Sequence, residues 1–175
     1  MKKLLLICLL VVASTTIQAQ EGQTWLTDMN QAVAVSTKEQ KPLFLFFTGS
    51  DWCGWCIRLQ KEVFKTPEFT TWAKENVVLV ELDFPRRSSQ TAEIKKQNND
   101  LQQIFGVRGY PTVWFAKPTV KDGKTNLEQL GSTGYVAGGP STWIAAANQI
   151  IAKYVKDAPV KIEKKSSKKN KKKKA

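Results

Sequence analysis

Short runs of consecutive apolar residues mark the predicted strands. Three runs, residues 43–47, 77–84 and 112–116, are rich in aromatic and β-branched residues. Runs of this length without polar alternation are typical of strands buried on both faces of a sheet. A weaker run, residues 127–130, follows the turn signal Asp122-Gly123. It lies close enough to the third strand to form a hairpin with it.

Apolar residues spaced three or four positions apart predict helices between these strands. Trp25, Met29 and Val33 have this spacing and predict a helix over residues 23–36. A second predicted helix, residues 52–65, follows a turn in which Ser50 or Asp51 is expected to be the N-cap. Three further helices are predicted to start at Thr66-Pro67-Glu68, to end at Gly106 and to occupy residues 143–154.

The predicted order of elements is α, β, α, α, β, α, β, β, α. Strands that are separated by helices pair in parallel through right-handed crossovers, whereas the last two strands can pair as a hairpin. The sequence therefore predicts an α/β fold in which a central mixed sheet of four to five strands carries helices on both faces.

The N-terminal residues have the order of a secretory signal. Lys2 and Lys3 precede a ten-residue apolar run, and Ile17-Gln18-Ala19 supplies a small residue for cleavage. The run is about half the ~20 apolar residues that a membrane-spanning helix needs. We expect residues 1–19 to be a signal peptide that is cleaved near Ala19, and the mature protein to be periplasmic or secreted.

The net charge of +12 is carried mainly by the C-terminal residues 161–175, where nine Lys and one Glu give +8. Such a block is typical of a disordered arm, which leaves residues 20–160 as a nearly neutral domain. An anionic lipid or a cell-envelope polymer is the partner that this tail would suit, and a solubilising arm without a partner is the alternative. The export signal argues against nucleic acid.

Cys53 and Cys56 are the cysteines that remain once Cys8 is lost with the signal peptide. They lie where a predicted buried strand passes into a helix, and the free N–H groups and dipole of a helix start stabilise a thiolate. Cys53 would therefore be the nucleophile. Cys56, one turn later on the same face, could attack the mixed disulfide and release the product. This chemistry needs no metal and no organic cofactor.

Other interpretations of the pair stay open. A structural disulfide is one, although so short a loop stabilises by only about 2 kcal/mol against ~3 for fifteen residues. A zinc site is another, but it needs four ligands, and the mature chain offers two Cys and no His. A chance pairing in the core is a third. If the pair is not catalytic, the protein is an envelope-surface binding module anchored by its Lys tail.

Two segments resemble the thioredoxin superfamily. The first is Trp52-Cys53-Gly54-Trp55-Cys56 after an apolar strand. The second, Val107-Arg108-Gly109-Tyr110-Pro111-Thr112, resembles the segment that ends in a cis-proline facing the redox pair. The resemblance covers residues 25–154. Lys41-Pro42 and the segment Gly49-Ser50-Asp51-Trp52-Cys53 resemble those of secreted thioredoxin-like proteins and of the C-terminal domain of the thiol:disulfide interchange reductase.

The resemblance implies a thioredoxin-like fold and a thiol–disulfide oxidoreductase. Cys53 would be the nucleophile and Cys56 the resolving thiol, and the Tyr110 backbone would pair with an extended substrate next to a cis Pro111. Net reduction or isomerisation is favoured over oxidation. The implied partners are protein disulfides and an upstream thiol–disulfide donor or acceptor, and we expect a monomer. The remaining predicted substrate-binding residues are Trp52, Gly54 and Trp55.

The chain also departs from the thioredoxin pattern. Thioredoxins carry a buried carboxylate on the strand before the motif, and here Phe46 or Phe47 holds that place. Water or Asp51 would then have to take the proton of Cys56. The segment between Pro85 and Leu101 is longer than in a minimal thioredoxin, and its use does not follow from the sequence.

Overall fold

The computed structural model describes residues 23–121 and 124–154, so the predicted signal peptide and Lys tail lie outside the described residues. The order of helices and strands is the predicted one. A π-helical turn, Gln60–Phe64, continues α2 and was not predicted. The elements are α1 (Met29–Glu39), β1 (Leu43–Thr48), α2 (Gly54–Leu59), α3 (Pro67–Asn76), β2 (Val78–Asp83), α4 (Ala92–Ile104), β3 (Thr112–Lys121), β4 (Lys124–Thr133) and α5 (Gly139–Ile151).

The four strands form one mixed sheet in the order β2-β1-β3-β4. β1 and β2 are parallel, whereas β3 pairs antiparallel with both β1 and β4. The predicted mixed sheet is therefore confirmed, with four strands. β1 lies inside the sheet, which explains why its six residues are all buried. In the described part of the chain, no helix is long and apolar enough to cross a membrane.

Side chains of β1 alternate between two buried clusters, one on each face of the sheet. Phe44 and Phe46 point to the cluster that also contains the cysteines and residues of α3 and α5. Leu43, Leu45 and Phe47 point to the opposite cluster, where α1 and α4 pack. Since each face has its own helices and its own core, the end of β1 is a rigid support for whatever follows it.

The prediction that the first helix begins near residue 23 is wrong. Asp28 is the N-cap, because its carboxylate accepts a hydrogen bond from the Gln31 N–H at 2.9 Å. Just before it, Leu26 makes a parallel bridge with Val80 at the edge of the sheet. Trp25 packs on the face that holds the cysteines, whereas Met29 packs on the other face. The helical spacing of these two residues therefore came from two different elements.

The start of α3 is as predicted. The Thr66 hydroxyl accepts a hydrogen bond from the Phe69 N–H at 3.3 Å, and Pro67 occupies the first helical position. Glu68 lies in the first turn, where the helix dipole favours a negative charge. At the other predicted boundary, α4 ends at Ile104, and Gly106 takes a φ of 60° that favours glycine.

Candidate active site

The two cysteines form a disulfide at the point where β1 passes into α2. Their Cα atoms are 5.2 Å apart. Both cysteines are buried, Cys53 with 6% of its surface exposed and Cys56 with none. The Cys53 N–H donates to the Gly49 carbonyl at 2.8 Å, which fixes the turn between strand and helix.

Cys53 itself is the N-cap of α2, which corrects the predicted cap at Ser50 or Asp51. Its Sγ accepts a hydrogen bond from the Cys56 N–H at 3.2 Å. Ser50 is engaged elsewhere, because its N–H and its hydroxyl both donate to the Asp83 carboxylate, at 2.8 and 2.6 Å. An N–H that points at Sγ favours the charged form of the sulfur. The cap therefore supports Cys53 as the thiolate.

The ring of Trp52 is held by contacts with several parts of the chain. Its Nε1–H donates to the Phe84 carbonyl at 2.7 Å. Its ring meets the ring of Tyr110 edge-on, with centroids 5.8 Å apart. The Arg86 guanidinium lies over it, 3.9 Å from the ring centroid. Gly49 packs so close to the ring that a Cβ there would overlap it. Trp52 therefore joins the loop after β2 to the segment before β3.

The peptide bond between Tyr110 and Pro111 is cis, as the resemblance implied. Tyr110 accepts a hydrogen bond from Gln102 Nε2 at 2.7 Å through its hydroxyl oxygen, and burial raises the pKa of this phenol. Because Tyr110 also packs on Trp52, the segment before β3 lies next to the cysteine motif. The contact of Pro111 with the Cys53 sulfur stays a prediction.

Trp55 is exposed, at 55% of its surface, and belongs to a cluster that the sequence did not predict. Its ring centroid lies 5.2 Å from that of Tyr135, in the loop between β4 and α5. The Arg58 guanidinium lies 5.4 Å from the Trp55 ring and 5.2 Å from the Tyr135 ring. Glu62 accepts hydrogen bonds from Arg58 Nε at 2.8 Å and from the Tyr135 hydroxyl at 2.6 Å. The four side chains form an ordered surface beside the cysteines. Gly54 is also exposed, and apart from its chain neighbours and the backbone of its own helix, no described residue has an atom within 4 Å of where a Cβ would be.

Comparison with known proteins decides the family. A family model described as a thioredoxin-like domain matches residues 29–143, which contain the cysteine motif and the cis-proline segment. The chain belongs to the thioredoxin-like family.

Similar proteins agree with this assignment. The disulfide bond reductase DsbH of Chlamydia pneumoniae is 35% identical over 121 residues, which is 69% of this chain and 69% of DsbH. The solved structure of a DsbH oxidoreductase has a TM-score of 0.65 at 30% identity and covers 75% of this chain and 85% of that one. A thioredoxin from Thermus thermophilus shares the fold, with a TM-score of 0.55 at 17% identity, and covers 75% of this chain and 89% of its own.

This thioredoxin-like chain is a thiol–disulfide oxidoreductase. Its sulfur pair is in the place that the family motif gives it, between a buried strand and a helix. In residues 23–121 and 124–154, no group of three or more metal-ligating side chains is arranged around a metal position.

The thioredoxin carboxylate is absent from β1, but a carboxylate stands on the neighbouring strand. Phe46 points to the cluster of the cysteines, and Glu81 of β2 lies directly opposite it in the parallel register. Residues paired in this way point to the same face of a sheet. Burial raises the pKa of Glu81, and the nearby charge of Asp83 adds to this shift. The sequence of β2 carried a signal for Glu81. This residue is a charged position between two apolar residues, Val80 and Leu82, which are both buried in the structure.

From the sequence, Asp51 was an alternative to water as the acceptor of the Cys56 proton, but in the structure its carboxylate accepts other hydrogen bonds. Its carboxylate accepts hydrogen bonds from the backbone N–H groups of Arg86, Arg87 and Ser88. These bonds, that from Arg86 first, lower the pKa of Asp51. A carboxylate with a lowered pKa is a weaker base, so Asp51 suits a structural role better than the uptake of a proton.

Proposed function

We propose that the protein is exported and exchanges disulfides with protein substrates through Cys53 and Cys56, with net reduction or isomerisation as its activity. The observation that carries this proposal is the position of the pair at a helix start, where Cys53 is the N-cap of α2 and its Sγ accepts the Cys56 N–H. Cys53 keeps 6% exposure, whereas Cys56 has no exposed surface. The likeness to a chain named as a disulfide bond reductase supports the reducing direction.

In the reducing direction, the Cys53 thiolate attacks one sulfur of a substrate disulfide. The substrate S–S bond breaks, a mixed disulfide forms, and the second substrate sulfur leaves as a thiolate. Cys56 then loses its proton and attacks the Cys53 sulfur, which releases the first substrate sulfur. Two electrons pass from the protein dithiol to the substrate, and the protein is left with the Cys53–Cys56 disulfide. An upstream thiol–disulfide donor must reduce it again.

Glu81 is our candidate for the group that receives the Cys56 proton. Burial raises the pKa of this carboxyl, so its pKa lies closer to neutral pH than that of an exposed carboxyl. It lies on the same face of the sheet as the cysteines, opposite Phe46. In this role Glu81 replaces the missing acid of β1 from the adjacent strand.

The substrate would bind along the edge made by the cysteine motif and the cis-proline segment. The Tyr110 backbone and Pro111 would pair with an extended substrate strand. Trp52, Gly54 and Trp55 would line the other side. The exposed ring of Trp55, fixed by Tyr135 and Arg58, supplies an aromatic anchor of the kind that dominates docking surfaces.

The roles of the cysteines are tested by single serine variants. Cys56→Ser should accumulate mixed disulfides with substrate proteins, because the resolving step is lost, while Cys53→Ser should be inactive and trap nothing. Trapping by Cys53→Ser instead would reverse the assignment. The reduction potential of the couple, measured against glutathione, decides the direction of exchange.

Export and the tail are proposals with tests of their own. N-terminal sequencing of the mature protein should find a start after Ala19, and a start at Met1 would exclude cleavage.

Removal of residues 161–175 should weaken sedimentation with anionic vesicles at low salt, since exposed charges are screened over ~8 Å at physiological ionic strength. Equal sedimentation of both forms would leave the tail without this partner.

A further inference from the structure

The loop between β2 and α4 is fastened to the active site by Asp51. The carboxylate accepts the N–H of Arg86 at 3.0 and 3.2 Å, that of Arg87 at 2.6 Å and that of Ser88 at 3.3 Å. Asp51 lies two residues before Cys53, so it joins this loop directly to the cysteine motif. Backbone N–H groups that converge on one carboxylate hold the loop in a single position.

Both ends of the same loop are also tied down. At its start, the Phe84 carbonyl accepts the Trp52 Nε1–H bond. Toward its end, Gln90 Nε2 donates to the Asp83 carbonyl at 3.2 Å, and Asn98 Nδ2 donates to the same carbonyl at 2.9 Å. The segment has no regular secondary structure, yet its place beside the site is set by side chains.

The hydrogen bonds of Asp51 to this loop also determine where Arg86 lies. Its guanidinium lies 3.9 Å from the ring centroid of Trp52, the residue that precedes Cys53. Arg86 is exposed, and in the described part of the chain its guanidinium has no carboxylate within ion-pair distance. A guanidinium stacked on a ring keeps its N–H edges free, and these edges match a carboxylate in a bidentate pair.

The two sides of the cysteine motif therefore differ in whether the guanidinium beside the tryptophan already has an ion-pair partner. On the Trp55 side, Arg58 is paired with Glu62 at 2.8 Å. On the Trp52 side, Arg86 and its exposed neighbour Arg87 have no such partner among the described residues, and the Asp51 carboxylate accepts hydrogen bonds from backbone N–H groups. The Arg86 guanidinium is therefore available to a negatively charged group of a bound partner.

We propose that Arg86 is a specificity-determining residue that binds an acidic side chain flanking the reactive cysteine of the substrate, and that Asp51 is the positioning residue that holds it there. This inference rests on the proposed disulfide exchange with protein substrates. It gives the longer segment after β2 a use: the segment carries a guanidinium to the rim of the site.

The test uses two disulfide-linked peptides that differ only in the residues next to the cysteine, Glu in one and Gln in the other. We expect the wild type to reduce the acidic peptide with a kcat/KM about threefold to tenfold higher at low salt, as a rim contact with a charge-assisted hydrogen bond would give. The ratio should fall as salt is added. Arg86→Gln should bring the ratio close to one, and Arg86→Lys should keep part of it because the charge remains.

Asp51→Asn should also lower the ratio, because the loop loses its fastening. A merely structural role of Asp51 would lower both rates alike and leave the ratio unchanged. Lys38→Gln is the matched control, because it also removes one exposed positive charge. Lys38 lies on α1, which precedes β1, whereas the cysteine motif follows the end of β1. We expect this variant to keep the wild-type ratio.

The outcomes separate this inference from the function on which it rests. If the wild type reduced neither peptide, the proposed function would fail. If it reduced both at equal rates, disulfide exchange would stand and the acidic preference would be wrong. An equal drop of the ratio in Arg86→Gln and Lys38→Gln would assign the preference to overall charge and overturn the role of Arg86.

Discussion

The ring of Trp55, one residue before the buried sulfur of Cys56, lies 5.2 Å from the ring of Tyr135 in the loop before α5. The Arg58 guanidinium contacts both rings, and Glu62 binds both Arg58 and Tyr135. An exposed tryptophan is thus held in one orientation by residues from two distant segments. Ordering before binding lowers the entropy cost of docking a substrate.

Trp55→Ala should lower kcat/KM for a protein disulfide about fivefold, since loss of an aromatic anchor typically costs more than ~1 kcal/mol of binding. The effect should appear mainly in KM, because the sulfurs are untouched. Ile57→Ala is the control, as Ile57 is also exposed on α2, at 50%, but is not part of the cluster of Trp55, Tyr135, Arg58 and Glu62. An equal loss in both variants would assign the effect to general surface apolarity.

Tyr135→Phe should raise the pKa of Glu62 toward its ordinary value. The hydrogen bond from Tyr135 is the largest cause of the lowered pKa of this carboxyl, and that from Arg58 is the second. A lowered pKa gives stability that is present above the ordinary carboxyl pKa and lost as pH falls, so the variant, with a smaller pKa shift, should lose less stability as the pH is lowered. Carboxyl NMR titration of Glu62 measures the shift, and an unchanged titration would contradict the assigned cause.

Phe44→Ala should destabilise the protein by about 3–5 kcal/mol, the usual cost of removing a fully buried phenylalanine. Phe44 is completely buried, and five other aromatic rings have centroids within 5.3–5.8 Å of its own. Denaturant unfolding measures the change. Ile104→Ala removes a side chain that is 61% exposed on α4 and should shift stability by no more than about 0.5 kcal/mol.

Local patterns were enough to predict the order of elements, the buried strands and the position of the cysteine pair. The run before the motif predicted β1 because each of its residues is buried by one face or the other. Helical spacing failed at Trp25 and Met29, which pack on opposite faces of the sheet. Periodicity cannot distinguish one helix from two neighbouring elements when the spacing happens to agree.

The rest of the site depends on contacts between segments that are distant in sequence. Asp51 was a good candidate for a helix cap, yet the backbone of the loop after β2 takes its carboxylate, and Cys53 caps the helix. Tyr135 meets Trp55 only because the β3–β4 hairpin brings the next loop to α2. Local sequence carries no signal for such contacts, whereas the pair Arg58 and Glu62, four apart on one helix, could have been found.

Glu81→Gln should change how stability depends on pH. Burial, with a contribution from Asp83, raises the pKa of Glu81, so the folded protein holds this proton more tightly than the unfolded chain. Its contribution to stability is therefore present below the ordinary carboxyl pKa and lost as pH rises. Urea unfolding should show that the free energy of unfolding of the variant does not have this decrease between acid and neutral pH. Glu75→Gln, at an exposed residue of α3, should keep the wild-type profile.

The same Glu81→Gln variant should resolve mixed disulfides more slowly at neutral pH, and its rate should recover as pH rises and Cys56 ionises without help. Single-turnover release of a trapped peptide measures this step. A release rate and pH profile equal to those of the wild type would remove Glu81 as the proton acceptor.

Gly49→Ala should disturb the site through the ring of Trp52. A Cβ at Gly49 would lie 2.7 Å from Trp52 Cζ2 and nearer still to two other ring atoms, so the ring or the turn has to move. The backbone of Gly49 is outside the left-handed region, so the cost is steric alone. The ring cannot move freely, because the Phe84 carbonyl, Tyr110 and Arg86 all contact it.

We expect Gly49→Ala to lower the free energy of unfolding by about 1–3 kcal/mol, as at other overpacked sites, and to lower kcat/KM as well. Gly54→Ala is the control for stability, because in the described part of the chain only its own helix and chain neighbours lie near its Cβ position, and alanine favours a helix. Equal unfolding midpoints for the two variants would show that the turn relaxes without displacing Trp52.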